Sequence, residues 1–252
     1  MTPWQRSIMD MKHRNLVATW EMTEGSGTTV YDVSGSQNNL TITPGGGSWT
    51  TLVGVARGVY LFDGTTTVMT AASNTNVNFE RTQPFSLFSV FEVTASGINQ
   101  ATLISRLDTP GNGYRGYESS ITAAVGGGYT VTFFLISTYP TSAIRVLTVT
   151  NGSGVGAVPV NAVTDLLITY DGSSKAAGLN VYVNGVLTAS TVGVQDTLTT
   201  TTLTTINPQL GIRASSGGNI FKGYMGPQYI WKRVLTATEA SALHSNFYVI
   251  PS

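Results

Sequence analysis

The sequence contains no cysteine and only two histidines, and each shortage excludes a class of chemistry. Without cysteine, the 252 residues can form no disulfide, no thiolate metal site and no cysteine nucleophile. The two histidines, His13 and His244, lie near opposite ends of the chain. The sequence therefore has few histidines from which to build a Ser-His-Asp relay or a histidine-rich metal site. We therefore expect no catalysis of these kinds.

Charge is scarce as well. Charged residues make up 10% of the chain, whereas soluble domains average about 25%. The 13 basic and 13 acidic residues balance to a formal net charge of +0, so the chain lacks the basic footprint of a nucleic-acid or anionic-membrane binder. No run approaches the 18 or so apolar residues of a membrane span. We expect neither a nucleic-acid partner nor membrane insertion.

The first 15 residues differ from the rest of the sequence. Arg6, Asp10 and Lys12 interrupt any apolar core that a secretory signal would need. We therefore expect no signal peptide. The sequence predicts a polar N-terminal arm over residues 1–15, followed by one domain over residues 16–252.

The clearest structural signal is residues 166–190, LLITYDGSSKAAGLNVYVNGVLTAS, where apolar runs alternate with turn residues. Asn184 and Gly185 separate two of these runs by the spacing of a two-residue type I′ hairpin. The predicted pairs are Val183 with Val186, Tyr182 with Leu187, and Val181 with Thr188. Both faces of this ribbon are apolar, which favours a position inside a stack of two sheets over a solvated edge.

Strand-like runs separated by turn residues continue from Asn15 almost to the C-terminus. About a dozen runs or more with no long linker predict an all-β fold and favour one closed sandwich over two domains. Two antiparallel sheets in jelly-roll order are the expected architecture.

Two segments depart from this rhythm. Residues 236–243, TATEASAL, place Glu239 three residues after Thr236, a capping box that predicts a short C-terminal helix. Residues 196–206, DTLTTTTLTTI, are rich in threonine but keep regularly spaced apolar residues. We expect them to form a strand or a strand-loop-strand unit.

Six pieces of the sequence carry a family resemblance. They are LVATWEMTEGSGTTVYDVSGSQNNLTI, VYLFDGTTTVMT, PFSLFSVFEV, LLITYDGSS, LNVYVNGVLTAS and FKGYMGPQYIWKRVLTATEASAL. In this order they resemble laminin-G-like domains of the concanavalin A-like superfamily, over about residues 15 to 245. The resemblance implies a two-sheet jelly roll that binds sugars or proteins and sometimes carries calcium at its rim. Hydrolases of the superfamily carry Glu-x-Asp-x-x-Glu on a strand, and this sequence has no such triplet.

The segment GNGYRG, residues 111–116, matches the dinucleotide-binding fingerprint only formally. It follows Pro110 and leads into strand-like residues, whereas the fingerprint must open a helix. We expect a loop at the sandwich rim. The candidate ligand-binding residues there are Tyr114, Arg115, Tyr117 and Glu118. Sugar sites combine an aromatic face with charged or amide groups. In the alternative interpretation, the tyrosines pack on a neighbouring strand and the arginine pairs with the glutamate.

Calcium is a second expectation that the resemblance raises. Residues 31–39, YDVSGSQNN, offer the oxygen ligands of Asp32, Asn38 and Asn39 at a turn. An Asx-turn explains the same residues equally well, and no second carboxylate is close in sequence.

The combination of a polar arm, no export signal and no cysteine also resembles stand-alone sandwiches encoded among phage structural genes. Virion components assemble in the host cytoplasm, where disulfides are unavailable. The expected function is a non-catalytic virion surface protein, a capsid decoration or fibre-like adhesin, that binds host or environmental glycans. Its arm would dock on capsid or tail proteins, and an oligomer is compatible with this role. The alternatives are a secreted bacterial carbohydrate-binding module and, less favoured, a glycan-cleaving enzyme.

Overall fold

The computed structural model describes residues 14–55, 58–72, 75–94, 98–214 and 217–247. Residues 1–13 of the predicted arm lie outside these described residues. Within the described ranges, no helix combines the length and hydrophobicity that crossing a membrane requires.

Two antiparallel sheets of eight and nine strands form a sandwich, which confirms the predicted all-β fold. The first strands are β1 (Leu16–Trp20), β2 (Thr29–Val30), β3 (Leu40–Thr43), β4 (Ser48–Thr51), β5 (Gly58–Asp63), β6 (Val68–Ala71), β7 (Phe85–Val93) and β8 (Gln100–Leu107). The remaining strands are β9 (Gly116–Ala123), β10 (Tyr129–Thr138), β11 (Ser142–Thr148), β12 (Val163–Tyr170), β13 (Leu179–Val183), β14 (Val186–Leu187), β15 (Ser190–Asp196), β16 (Gln209–Leu210) and β17 (Lys222–Trp231).

The eight-stranded sheet runs in the order β14-β13-β12-β7-β17-β5-β4, with β1 also paired to β17. On one side β17 pairs with β7, and on the other it pairs first with β5 and then with β1. Its register shifts between Met225 and Gln228. Pro227 lies in this bulge, where its missing N–H costs no ladder hydrogen bond.

The nine-stranded sheet runs in the order β15-β11-β10-β9-β8-β16-β6-β3-β2. Strand β10 shows how each strand serves two faces, because side chains alternate with a period of two. Val131, Phe133 and Leu135 belong to the large core between the sheets. Phe134 and Ile136 point to the opposite, outer face, where they form a small cluster with Leu107 and Ala143.

The helix α1 (Ala237–Phe247) covers the outer face of the eight-stranded sheet. It begins with the predicted capping box, since the Thr236 N–H donates to Glu239 Oε2 (2.8 Å) and the Glu239 N–H donates to Thr236 Oγ1 (3.2 Å). It ends four residues beyond the predicted span. A second apolar cluster is made up of residues of α1, of the strands beneath it and of the link between β17 and α1: Phe88, Val90, Leu167, Tyr182, Tyr229, Trp231, Leu235, Ala240 and Leu243.

The predicted hairpin register is confirmed. Tyr182 pairs with Leu187, Val183 pairs with Val186, and the Thr188 N–H donates to the Val181 carbonyl (2.8 Å). Asn184 and Gly185 take φ of +50° and +72°, as a type I′ turn requires.

The expected position of that hairpin away from a solvated edge is only half correct. Strand β13 is covered on both faces, by the core and by the cluster under α1. Strand β14 is the edge of its sheet, and Val186 and Leu187 are 67% and 56% exposed. The edge stays short, at two residues, which limits the unpaired backbone it presents.

The prediction of a strand within the threonine-rich segment is wrong. Strand β15 ends at Asp196, and residues 197–208 are irregular. Side-chain hydrogen bonds replace a strand ladder there. Thr202 Oγ1 donates to the Phe79 carbonyl (2.7 Å), and Asn78 Nδ2 donates to the Thr204 carbonyl (2.8 Å). Hydroxyl and amide groups that bond the backbone locally compete with regular secondary structure.

Candidate functional site

The outer face of the nine-stranded sheet carries small hydroxyl side chains across neighbouring strands. Thr102, Ser120 and Thr132 lie opposite one another on β8, β9 and β10 and are buried. Thr122 and Thr132 share a hydrogen bond between their hydroxyls (3.0 Å), and Gln100 Nε2 donates to Ser120 Oγ (3.0 Å). This part of the outer face is therefore formed by small polar side chains that hydrogen-bond to one another.

At one end of this part of the face the side chains become large. Strand pairing places Ser105, Glu118, Phe134 and Arg145 in one row across β8, β9, β10 and β11. A pocket of about 270 Å³ opens there. Its lining residues are Gln100, Leu107, Tyr114, Phe134, Ile136, Tyr139, Arg145 and Arg213. Apolar walls with a few polar groups are the usual composition of a small-ligand site.

Tyr114 and Tyr139 meet because two loops are joined by their backbones. The Tyr139 N–H donates to the Gly113 carbonyl (2.9 Å), which ties the turn after β10 to the loop before β9. A side chain at Gly113 would lie 2.9 Å from Thr138 Cα, so glycine permits this close approach. Tyr114 itself takes φ of +58°, a backbone conformation unusual for a bulky residue.

The rings and guanidinium groups of the pocket form a continuous row. Arg145 lies over Phe134 at 5.4 Å from the ring centroid, and the Phe134 and Tyr139 centroids are 6.3 Å apart. Tyr139 and Tyr114 follow at 6.5 Å with perpendicular rings, and Arg213 lies 6.0 Å from the Tyr114 centroid. The aromatic wall thus has a cationic group at each end.

The charge at one end of the row is neutralised. Arg213 donates two hydrogen bonds to Glu118, from Nε to Oε2 (2.9 Å) and from Nη2 to Oε1 (2.8 Å). The Glu118 side chain is fully buried, and its hydrogen bond raises the pKa of Arg213. A buried carboxylate needs such a bidentate partner. This pair fixes the guanidinium that borders Tyr114.

The structure separates the four candidate ligand-binding residues of the sequence. Tyr114 lines the pocket, and Glu118 lies behind it. Tyr117 points into the core, is 1% exposed and donates its hydroxyl to the Val77 carbonyl (3.0 Å). Arg115 lines a neighbouring polar pocket with Asp108, and Glu118 pairs with Arg213 instead. Binding of a ligand by these four residues stays a prediction.

Phe134, Arg145 and Arg213 line the candidate pocket but were not predicted from the sequence. The period of two in YTVTFFLIS and SAIRVLT places Phe134 and Arg145 on the face opposite the core residues, so a local signal existed for both. Arg213 gave no such signal, because 95 residues separate it from Glu118.

The candidate calcium ligands lie together in a turn between β2 and β3. Asp32 Oδ1 accepts hydrogen bonds from the Thr19 and Ser34 backbones (2.9 Å each), and Oδ2 accepts from the Asn38 backbone (2.9 Å). The bond to Ser34, two residues on, is an Asx-turn. Asn39 Oδ1 accepts from the Asp32 N–H (2.9 Å). The described residues hold no group of three or more metal-ligating His, Cys, Asp or Glu side chains. Calcium at this turn stays a prediction.

Several solved structures share this architecture. The binding domain of Paraclostridial mosquitocidal protein 1 superposes with a TM-score of 0.68 at 16% identity, over 92% of this chain and 52% of that one. The botulinum neurotoxin serotype D ligand-binding domain, solved in complex with N-acetylneuraminic acid, gives 0.67 at 12% identity, over 95% and 52%. This chain therefore spans about half the length of those toxin domains.

Domain 4 of an extracellular arabinanase from Geobacillus stearothermophilus, in complex with arabinotriose, matches over its whole length. The TM-score is 0.63 at 16% identity, over 92% of this chain and 99% of that domain. At such low identities these likenesses establish the fold alone.

Sequence comparison gives the family. A search of curated proteins finds no significant match to this sequence. A laminin G-type family model described as the Concanavalin A-like lectin/glucanases superfamily matches residues 62–241, which is more than half of the sequence. The chain belongs to this superfamily.

Proposed function

We propose that this protein is a non-catalytic glycan-binding domain whose site is the pocket between Tyr114, Tyr139 and Arg145. One observation carries the proposal: an aromatic wall of Tyr114, Phe134 and Tyr139 and polar groups from Gln100 and Arg145 line one pocket on the outer face of the nine-stranded sheet. Aromatic rings pack on the C–H face of a sugar, while amide and guanidinium groups bond its hydroxyls. The pocket volume suits one or two sugar units rather than a long chain.

The similar structures support this proposal. Two of them were solved with a sugar ligand, arabinotriose in the arabinanase domain and N-acetylneuraminic acid in the neurotoxin domain. The mosquitocidal protein and neurotoxin domains are both described as binding domains. The absence of the superfamily's glutamate-aspartate-glutamate triplet from this sequence favours binding over cleavage.

Display on a phage particle is the second part of the proposal. It is supported by a core that needs no disulfide and by the polar segment over residues 1–15, which would dock on capsid or tail proteins. Mass spectrometry of purified particles tests it directly. Absence of the protein from particles would leave the glycan-binding proposal standing and favour a bacterial carbohydrate-binding module.

A glycan array followed by titration of a bound sugar tests the site. Tyr139 is 37% exposed at the pocket mouth, so Tyr139→Ala removes a sugar-stacking surface with little loss of core packing. We expect at least a tenfold loss of affinity. The matched control is Tyr31→Ala, since Tyr31 is 59% exposed at a different loop. Equal affinities for the wild type and Tyr139→Ala would overturn the site assignment.

A further inference from the structure

Arg145 differs from the other charged residue of the pocket because no carboxylate in the described part of the chain forms an ion pair with it. Its Nε–H is buried and has no hydrogen-bond acceptor among the described residues. Its guanidinium instead lies over the Phe134 ring at 5.4 Å. A ring face attracts a cation but supplies no acceptor for its N–H groups. The guanidinium is therefore positioned by packing and still able to bind an anion.

Two acidic residues on strands close to Arg145 have other partners. Glu118 lies in the same cross-strand row, but both of its carboxylate oxygens accept from Arg213. Asp196 belongs to the strand beside Arg145, where it pairs with the inward-facing Ile144. Its Oδ1 accepts from the Ala176 backbone (2.8 Å). With Glu118 and Arg213 compensating each other, the described lining of the pocket carries the one net positive charge of Arg145.

We infer that the pocket selects an acidic sugar, one whose ring bears a carboxylate that Arg145 binds. This inference rests on the proposed glycan-binding function and adds the class of sugar. A guanidinium matches a carboxylate with two parallel N–H···O bonds, which fixes the orientation of the ligand as well as its charge. The sugar ring then lies beside Tyr139 and Tyr114, on the wall that leads away from Arg145. Hexuronic acids and sialic acids share this chemistry.

Matched sugar pairs test the charge selectivity. The probes are methyl β-D-glucuronide against methyl β-D-glucoside, and sialyllactose against lactose, each titrated into the full-length protein by calorimetry or ligand-observed NMR. We expect at least one acidic probe to bind tenfold or more tightly than its neutral partner. Its affinity should fall on raising the salt concentration, because the binding gains from an ion pair.

Substitutions at Arg145 then locate the selectivity. Arg145→Gln should reduce the acidic-to-neutral affinity ratio to near one, because the acidic sugar loses its ion pair and so loses more affinity than the neutral sugar. Arg145→Lys should retain an intermediate ratio, because a point charge replaces the bidentate group. Lys232→Gln removes the same charge at an exposed residue directly after β17 and should change neither affinity. Thermal melts establish that each variant is folded. If Arg145→Gln does not fold, the salt dependence of acidic-sugar affinity in the wild type still tests the ion pair.

The outcomes distinguish a failure of the acidic-sugar inference from a failure of the proposed glycan-binding function. Equal binding of acidic and neutral partners, or an equal loss of both in Arg145→Gln, would overturn the acidic-sugar inference. Glycan binding would still stand in either case if Tyr139→Ala abolished it. If no probe bound and the array showed binding of neutral sugars only, the acidic-sugar inference would be overturned. The glycan-binding proposal would still stand. No binding of any sugar on the array would overturn both.

Discussion

Asp63 shows how one side chain organises the turn after β5. Its Oδ1 accepts hydrogen bonds from the backbones of Thr65, Thr66 and Thr67, and its Oδ2 accepts from the Gly46 backbone and from two threonine hydroxyls, all between 2.8 and 3.0 Å. Partial burial alone would raise the pKa of this carboxyl. The backbone hydrogen bonds from residues 65–67 and 46 outweigh burial and hold the pKa far below its usual range.

This arrangement predicts a pH-dependent contribution to stability. A carboxyl with a lowered folded-state pKa stabilises the fold above its unfolded pKa, about 3.9, and loses that contribution as the pH falls toward the folded value. Asp63→Asn should therefore lower the free energy of unfolding by about 1–3 kcal/mol at pH 7. The difference from the wild type should shrink below about pH 4. Urea denaturation at pH 7 and pH 3 measures it.

Asp171→Asn is the matched control for this comparison. Asp171 also precedes a glycine in a turn, but its carboxylate is exposed and accepts one backbone hydrogen bond, from Ser173 (2.8 Å). Its substitution should cost less at pH 7 than Asp63→Asn does, because its exposed carboxylate organises less of its turn. A difference for Asp63→Asn that stays constant from pH 7 to pH 3 would contradict the proposed role of its charge.

At the scale of single elements, the capping box of α1 joins the helix to the strand before it. Besides its reciprocal bonds with Thr236, Glu239 binds Arg233 (Nη2 to Oε1, 2.6 Å), which lies two residues after the end of β17. Thr236→Ala should lower the free energy of unfolding by about 1 kcal/mol, because one N–H of the first turn loses its acceptor. Thr238→Ala changes an exposed helix position with no cap and should be neutral or slightly stabilising. Equal losses in the two variants, measured by urea denaturation, would argue against the cap.

Elements with a local signal were predictable from the sequence, and those fixed by distant contacts were not. The turn of Asn184 and Gly185 sets its own register, and Thr236 with Glu239 sets the helix start, so both predictions are confirmed. The segment 197–208 has strand-like composition, but its threonines bond to residues 78–80, which no local pattern reveals. The site divides in the same way. Tyr114 was proposed from its glycine-flanked loop and lines the candidate pocket, whereas the Glu118–Arg213 pair required the fold.

On the scale of the whole molecule, the two sheets present different outer faces. The eight-stranded sheet is sealed by α1 over an apolar cluster that includes Trp231 and Leu243. The nine-stranded sheet carries the open aromatic pocket on its outer face. The large core lies between these surfaces. One face therefore contributes stability through the helix, and the other is available for recognition.

This separation predicts that stability and binding respond independently to substitution. Leu243 lies on the buried side of α1 and is fully buried, so Leu243→Ala should cost about 2–4 kcal/mol of unfolding free energy. It should leave the affinity for a bound glycan unchanged, because packed sheets stand about 10 Å apart between the helix and the pocket. Tyr139→Ala should lower the affinity for the glycan and leave the free energy of unfolding nearly unchanged. In the double variant the two stability changes should add within about 0.5 kcal/mol, as they do for sites without shared partners. Urea denaturation of the four proteins, with titration of the glycan into each, measures both quantities. A non-additive part of the unfolding free energy above about 1 kcal/mol would mean that the core transmits strain between the two outer faces. Stability and binding would then not be independent.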